Sequence, residues 1–364
     1  MRIFACHSGM KHQRGLSLIE LMISLAISLL IIAGVLYVFL GSRQSYNQMD
    51  VMSRMQENGR IAVDLMTHDL RLGGFMGCRR YGANTISVIA SNPPFQEADI
   101  VDGQAIRGVT YSAGNPAYVT DSLGNGGVVG SDVIVIRHAA GDGVRLGGGL
   151  VAQLGQGATT ITLTPTGAVP SRIPGESDGT PLAAGSAGRD LALITDCSKG
   201  DIFRVSAIAG GTAGTPTVSI TSDAGLTYGY SADAVVFPFR EDRYFLRDTG
   251  RLNRQNQPVI SLYRMAAEMN SDNADELVEG VEDMILEYGL DQDGDGAADI
   301  YQRAGVVTNW AQVVSVRVRL MLATVDDNTL TEDATFTLLD GATVTDRRLR
   351  QEFSTFVAFR NRLQ

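Results

Sequence analysis

The chain has 364 residues, a formal net charge of -10 and a pI near 4.9, a length that allows an anchor helix plus one large or two small globular units. A balance this acidic excludes a phosphate-backbone reader, which needs a basic footprint. The short runs Arg347, Arg348, Arg350 and Arg360, Arg362 are therefore expected to be solvated strand edges, and nucleic acid is not an expected partner.

Residues 1–14 carry Arg2, Lys11 and Arg14 and no acid. From Leu21 to Ser42 no charged side chain appears, enough apolar length at about 1.5 Å per residue to cross a bilayer core. Basic residues on its amino side put the first residues in the cytoplasm and everything after Arg43 outside. A secretory signal would end in a small-residue cleavage site, whereas this apolar run continues into a helix. Glu20 stands at the start of the run, where a lone carboxylate costs a few kcal/mol and calls for a cationic partner. A cut after Gly15 would make Leu16 a free amino terminus, and that ammonium on an adjacent subunit could neutralise Glu20.

The stretch Arg14-Gly15-Leu16-Ser17-Leu18-Ile19-Glu20-Leu21-Met22 resembles the type III signal of type IV prepilins. The resemblance implies cleavage after Gly15 by an inner-membrane prepilin peptidase and methylation of the new terminus at Leu16, a position where the family usually has Phe. Cleavage removes Cys6 and leaves Cys78 and Cys197. In an oxidising compartment that pair reads as a disulfide, with two buried thiols as the alternative.

Beyond the span the helix is expected to continue to about Leu72. Tyr46, Met49, Met52 and Met55, then Ala62, Met66 and Leu70, recur at helical spacing, a stripe expected to pack under a sheet, and Gly73-Gly74 is the expected stop. Past Cys78 the chain reads as short strands between turn clusters: 132–137, 159–164, 190–195, 201–208, 217–221 and 259–264. Val314 to Leu322 and Glu352 to Arg360 alternate apolar and polar residues, the pattern of half-buried antiparallel strands. Residues 102–188 are rich in Gly and Thr and are expected to form a β insertion or subdomain.

Gly175-Glu176-Ser177-Asp178-Gly179 matches a nucleophile elbow in letters only, since prolines flank it where a strand and a helix are required. No zinc-protease motif and no phosphate-binding P-loop is present, so an enzyme is not expected. Asp291, Asp293, Asp295 and Asp299 fall at positions 1, 3, 5 and 9 of a loop with Gly296 at position 6, which suits Ca²⁺. The Ala297 carbonyl could add a ligand. Gln302 replaces the bidentate Glu of a full EF-hand, so a weak affinity of about 10⁻⁴ to 10⁻³ M is expected. The alternative is an acidic solvated turn.

Four passages are similar to the PilW family of minor type IV pilins: Gly74 to Cys78, Asp196 to Phe203, Leu277 to Asp291, and Phe353 to Asn361. The resemblance implies an α+β, type IV pilin-like fold. A leader (1–15) precedes a helix with a transmembrane half (16–42) and an amphipathic half (43–73), packed on a mainly antiparallel, β-rich periplasmic head (74–364). It implies a non-enzymatic subunit that primes pilus assembly at the inner membrane, sits near the tip, and supports adhesion and twitching motility. The implied partners are the prepilin peptidase, other minor pilins, the major pilin and a PilY-type tip adhesin. A type II secretion pseudopilin of the J type shares the signal and helix, and an anchored periplasmic calcium- or carbohydrate-binding protein that never polymerises would leave Glu20 unexplained.

Overall fold

The computed structural model describes residues 18–77, 86–91, 93, 105–112, 127–140, 144–145, 153–163, 190–212, 215–266 and 274–361. One helix, α1, runs from Leu18 to Leu72. It stops where the sequence places the stop, and Gly74 takes the left-handed conformation (φ 76°) that terminates helices. The chain divides into two compact units, Met1–Met52 and Ser53–Gln364. In the first, the described part of α1 is long and apolar enough to cross a membrane, and its Leu, Ile, Val and Phe side chains are exposed.

The second unit holds the rest of α1 and the strands. In chain order these are β1 (Ile86–Val88), β2 (Ile106–Thr110), β3 (Asp132–Ala139), β4 (Val144–Arg145), β5 (Thr160–Leu163), β6 (Leu191–Thr195), β7 (Gly200–Thr212), β8 (Thr215–Ser222) and β9 (Val235–Leu252). There follow β10 (Pro258–Ala266), β11 (Asp275–Glu279), β12 (Val281–Leu290), β13 (Ile300–Arg303), β14 (Val313–Ala323), β15 (Ala334–Thr337), β16 (Thr343–Asp346) and β17 (Arg350–Ala358). A large sheet follows the path β11-β10-β9-β6-β7-β8-β5, with β3 and β4 also on β9 and β2 on β3. A four-stranded sheet has the order β13-β12-β14-β17, and β15 pairs with β16. Among the described pairs only β1 with β7 is parallel. The fold is thus α+β, a long amino-terminal helix whose second part packs on mainly antiparallel sheets.

Two of the three apolar cores among the described residues explain the sequence of β6. Leu191 and Leu193 of β6 join Met66 and Leu70 of α1 in one core, while Ala192 and Ile194 join Phe203 and Val236 in the other. A strand buried on both faces reads as an unbroken apolar run, here Leu-Ala-Leu-Ile. The methionine stripe needs correction: Met55, Ala62, Met66 and Leu70 are buried, but Tyr46, Met49 and Met52 are 74%, 71% and 43% exposed. Helical spacing fixes which residues share a face; how far along the helix that face is covered depends on where the sheets begin.

The longest strand, β9, was not legible in the sequence. Its middle, Arg240-Glu241-Asp242-Arg243, looks like a solvated turn, yet all of it is buried. Compensation comes from both strands: Arg137 Nε of the neighbouring β3 donates to Glu241 Oε2 at 2.6 Å, Arg243 Nη2 of β9 itself donates to Oε1 at 2.6 Å, and His138 of β3 lies 3.5 Å from Asp242. The expectation of solvated arginines holds at Arg347 and Arg360, which are exposed, but fails at Arg348 and Arg350. Arg350 is buried, held by Glu282 and Asp346 at 2.6 Å each, and Arg348 shares Glu282 at 2.9 Å.

Candidate functional site

Gly15 and Leu16, the expected cleavage and methylation positions, lie outside the described residues. Glu20 lies in the first turn of α1 and is exposed. Among the described residues it has no hydrogen-bond or ion-pair partner, so the carboxylate is offered outward from an apolar segment.

The acidic loop closes the β12–β13 hairpin. Its base is pinned by Asp299 N donating to Leu290 O and Asp291 N to Gln312 O, both at 2.9 Å. Gly294 and Gly296 both have φ of 85°, which folds the loop back on itself. Asp291 then accepts from Gly294 N at 2.6 Å and Gly296 N at 2.8 Å, and Asp299 from Gln292 N at 2.7 Å. Carboxylate oxygens of Asp291, Asp293 and Asp299 lie within 4.8 Å of one another. Asp295 is outside this group and accepts from Ala297 N at 2.7 Å. Desolvation works to raise the Asp291 carboxyl, and the Gly296, Gly294 and Asp295 amides outweigh it and hold the group below the ordinary aspartate range. The loop therefore presents converging carboxylate oxygen donors, the chemistry a hard cation takes.

Cys197 is disulfide-bonded and sits at φ 69°; Cys78 lies outside the described residues. The turn around Cys197 is fixed by Asp196, whose Oδ1 accepts from Ser198 N, Ser198 Oγ and Lys199 N at 2.7–3.1 Å.

A cluster that sequence reasoning missed joins helix to head. Asp69 of α1 is only 5% exposed. It accepts a short hydrogen bond from Tyr244 Oη of β9, lies 3.4 Å from Arg264 Nη1 of β10 and is 3.0 Å from His68 Nδ1. Burial and the Asp69 charge push the Tyr244 hydroxyl far above its usual value, so it stays a donor. The signal was present: Asp69 follows Ala62 by seven residues and Met66 by three, on the buried stripe. Nearby, the Phe353 ring of β17 sits so close over Gly59 that a Cβ there would lie 2.4 Å from it.

Comparison with known families finds two matches. Residues 10–36 match the prokaryotic N-terminal methylation motif, and residues 243–361 match PilW, the type IV pilus-assembly protein W. The second range contains the last part of β9, the acidic loop and the whole four-stranded sheet; Gly74 to Cys78 and Asp196 to Phe203 fall outside it. No curated protein and no solved structure matches.

Proposed function

We propose that this chain, by both of its family matches a PilW-like prepilin, works as a minor pilin that is cleaved after Gly15, methylated at Leu16, and built into a type IV pilus near its tip. The observation that carries this reading is the placement of Glu20: an outward carboxylate without a described partner, five residues behind the expected cut, on an apolar helix that continues into the head. The ammonium of a neighbouring subunit supplies the charge it lacks. On this reading the head is periplasmic before assembly, Cys78 pairs with Cys197, and other minor pilins, the major pilin and a PilY-type tip adhesin are partners in adhesion and twitching motility. We also propose that Asp291, Asp293 and Asp299, with the Ala297 carbonyl and Asp295 at the rim, hold Ca²⁺ and stiffen the β12–β13 hairpin.

Intact mass of the protein produced with and without a prepilin peptidase tests the core of this reading. Loss of residues 1–15 plus one methyl group is the expected result. An uncut chain beside an active peptidase would refute it. Glu20→Ala should leave cleavage intact and sharply reduce pilus number; normal piliation in that variant would remove Glu20 from assembly.

A further inference from the structure

The four-stranded sheet ends in an open edge. β17 pairs with β14 from Arg350 to Ala358 without a register shift, and among the described residues nothing bonds to its other side. Phe359 N donates to Val314 O and Thr324 N to Leu349 O, both at 2.9 Å. In an antiparallel ladder hydrogen-bonded pairs alternate, so the odd residues from 351 to 357 bond to β14. The N–H and C=O groups of Glu352, Ser354, Phe356 and Ala358 consequently point away from it, and all four residues are exposed.

Such an edge is normally guarded by proline, lysine, a bulge or a short strand. β17 is nine residues long and contains neither proline nor lysine, and its one acid, Glu352, is engaged by Arg319 at 2.7 Å. The side chains above the edge are also unfinished. Phe356 is 59% exposed and lies edge-on to Tyr301 at 5.8 Å. The Arg317 guanidinium covers its ring at 5.2 Å. Arg317 reaches Glu287 only at 3.4 Å, and among the described residues its Nε has no hydrogen-bond partner.

We infer that the edge of β17 receives an extended strand from another pilus subunit, which becomes the fifth strand of this sheet; this rests on the pilin reading above. Alternating backbone donors and acceptors at strand spacing are complemented by another extended backbone and by no lipid or sugar. Phe356 and Ala358 ask for apolar neighbours, and Arg317 with the exposed Arg360 for a carboxylate. The incoming strand therefore carries apolar residues and an acid together on the one face that it shares with Phe356, Ala358 and Arg317. Its position suits a subunit contact, because the opposite face of β17 rests on the helix through Phe353 and Gly59, and Asn361 Nδ2 reaches Arg71 O at 3.4 Å.

The test uses the full chain in pilus-forming cells, with a photo-crosslinking residue at Ala358 and a control at Leu252, exposed elsewhere on the head. An adduct with a different pilus subunit at Ala358, absent at Leu252, is expected. Ser354→Pro removes only an outward N–H and should lower that adduct at least tenfold; Phe356→Lys, which leaves every backbone bond in place, should lower it as well. No adduct, an adduct only with lipid or a second copy, or an adduct that both folded variants leave unchanged overturns the inference. Sheared filaments separate the two failures. Wild-type chain present in them without the adduct ends the strand pairing alone, whereas an uncleaved chain absent from them ends the pilin reading.

Discussion

Replacing Asp69 tests whether the helix is locked to the head by one buried carboxylate. A hydrogen bond to a charged acceptor contributes about 1.5–3 kcal/mol, and the bond from Tyr244 is the shortest that Asp69 makes. The Arg264 contact is longer and its side chain is 24% exposed, which discounts it to about 0–1 kcal/mol. His68, 63% exposed, adds little. Asp69→Ala also strands the Tyr244 hydroxyl in the core, so the expected cost is about 2–4 kcal/mol, or a midpoint lowered by roughly 4–8 °C in a domain of this size. Tyr244→Phe removes the same bond but leaves Asp69 its other partners, and should cost about 1–3 kcal/mol.

The decisive quantity is the coupling. Chemical unfolding of the detergent-solubilised full chain, followed by near-UV circular dichroism, should give a double variant less destabilised than the sum of the singles by about 1–2 kcal/mol. Additive effects, or an Asp69→Ala variant within about 0.5 kcal/mol of wild type, would refute the lock.

Tyr288 offers the opposite case. Its hydroxyl is fully buried and has no hydrogen-bond partner among the described residues, so Tyr288→Phe should be neutral or stabilising by up to about 1 kcal/mol in thermal unfolding. Gly108→Ala, whose Cβ would fall 1.9 Å from that hydroxyl oxygen, should destabilise by about 1–3 kcal/mol. Acid should unfold the head. At Glu241 burial works to raise the carboxyl, but Arg137 and Arg243 hold it low. Arg251 holds Glu276 low and Arg319 holds Glu352 low. Folded values below the unfolded ones stabilise above the ordinary glutamate value of about 4.3, and this is lost as pH falls through the folded values. Asp201 and Asp283, raised by burial, act in the reverse sense, their contribution present below the unfolded value and lost as pH rises through the folded one. A midpoint-versus-pH series should therefore drop steeply below about pH 4, and a flat profile there would contradict the buried triad. Calorimetry with Ca²⁺ should show binding at about 10⁻⁴ to 10⁻³ M, lost in Asp291→Asn; no heat at millimolar Ca²⁺ would end the cation reading.

The anchor helix, its stop at Gly73-Gly74 and the alternating strands β14 and β17 were legible because each follows from short-range periodicity. So was the acidic loop, whose donors lie within nine residues. What escaped were features whose compensation comes from far along the chain. Arg240 to Arg243 look solvated until Arg137 is placed beside Glu241, 104 residues away. Asp69 looks like a surface acid until Tyr244 arrives from 175 residues away. Arg350 looks like a strand edge until Glu282 does the same. Local patterns report which face a residue occupies, but whether a charge on that face is tolerated depends on a partner that periodicity cannot name.

The same reasoning separates the two unusual carboxylates of α1. Both stand where an unpaired charge is costly, Asp69 in a packed core and Glu20 at the start of an apolar span. Asp69 finds its donor within its own chain, and the result is a fixed joint between helix and head. Glu20 has no such partner among the described residues, and folding alone gives no reason to place an acid there. A carboxylate whose cost is relieved only by a second molecule favours association over the isolated subunit. The open edge of β17 has the same character at the other end of the chain: backbone groups complete for folding, incomplete for the assembled state. On the proposed reading each serves association in its own way, the ionic pair at Glu20 drawing a subunit in and the strand added to β17 setting its register.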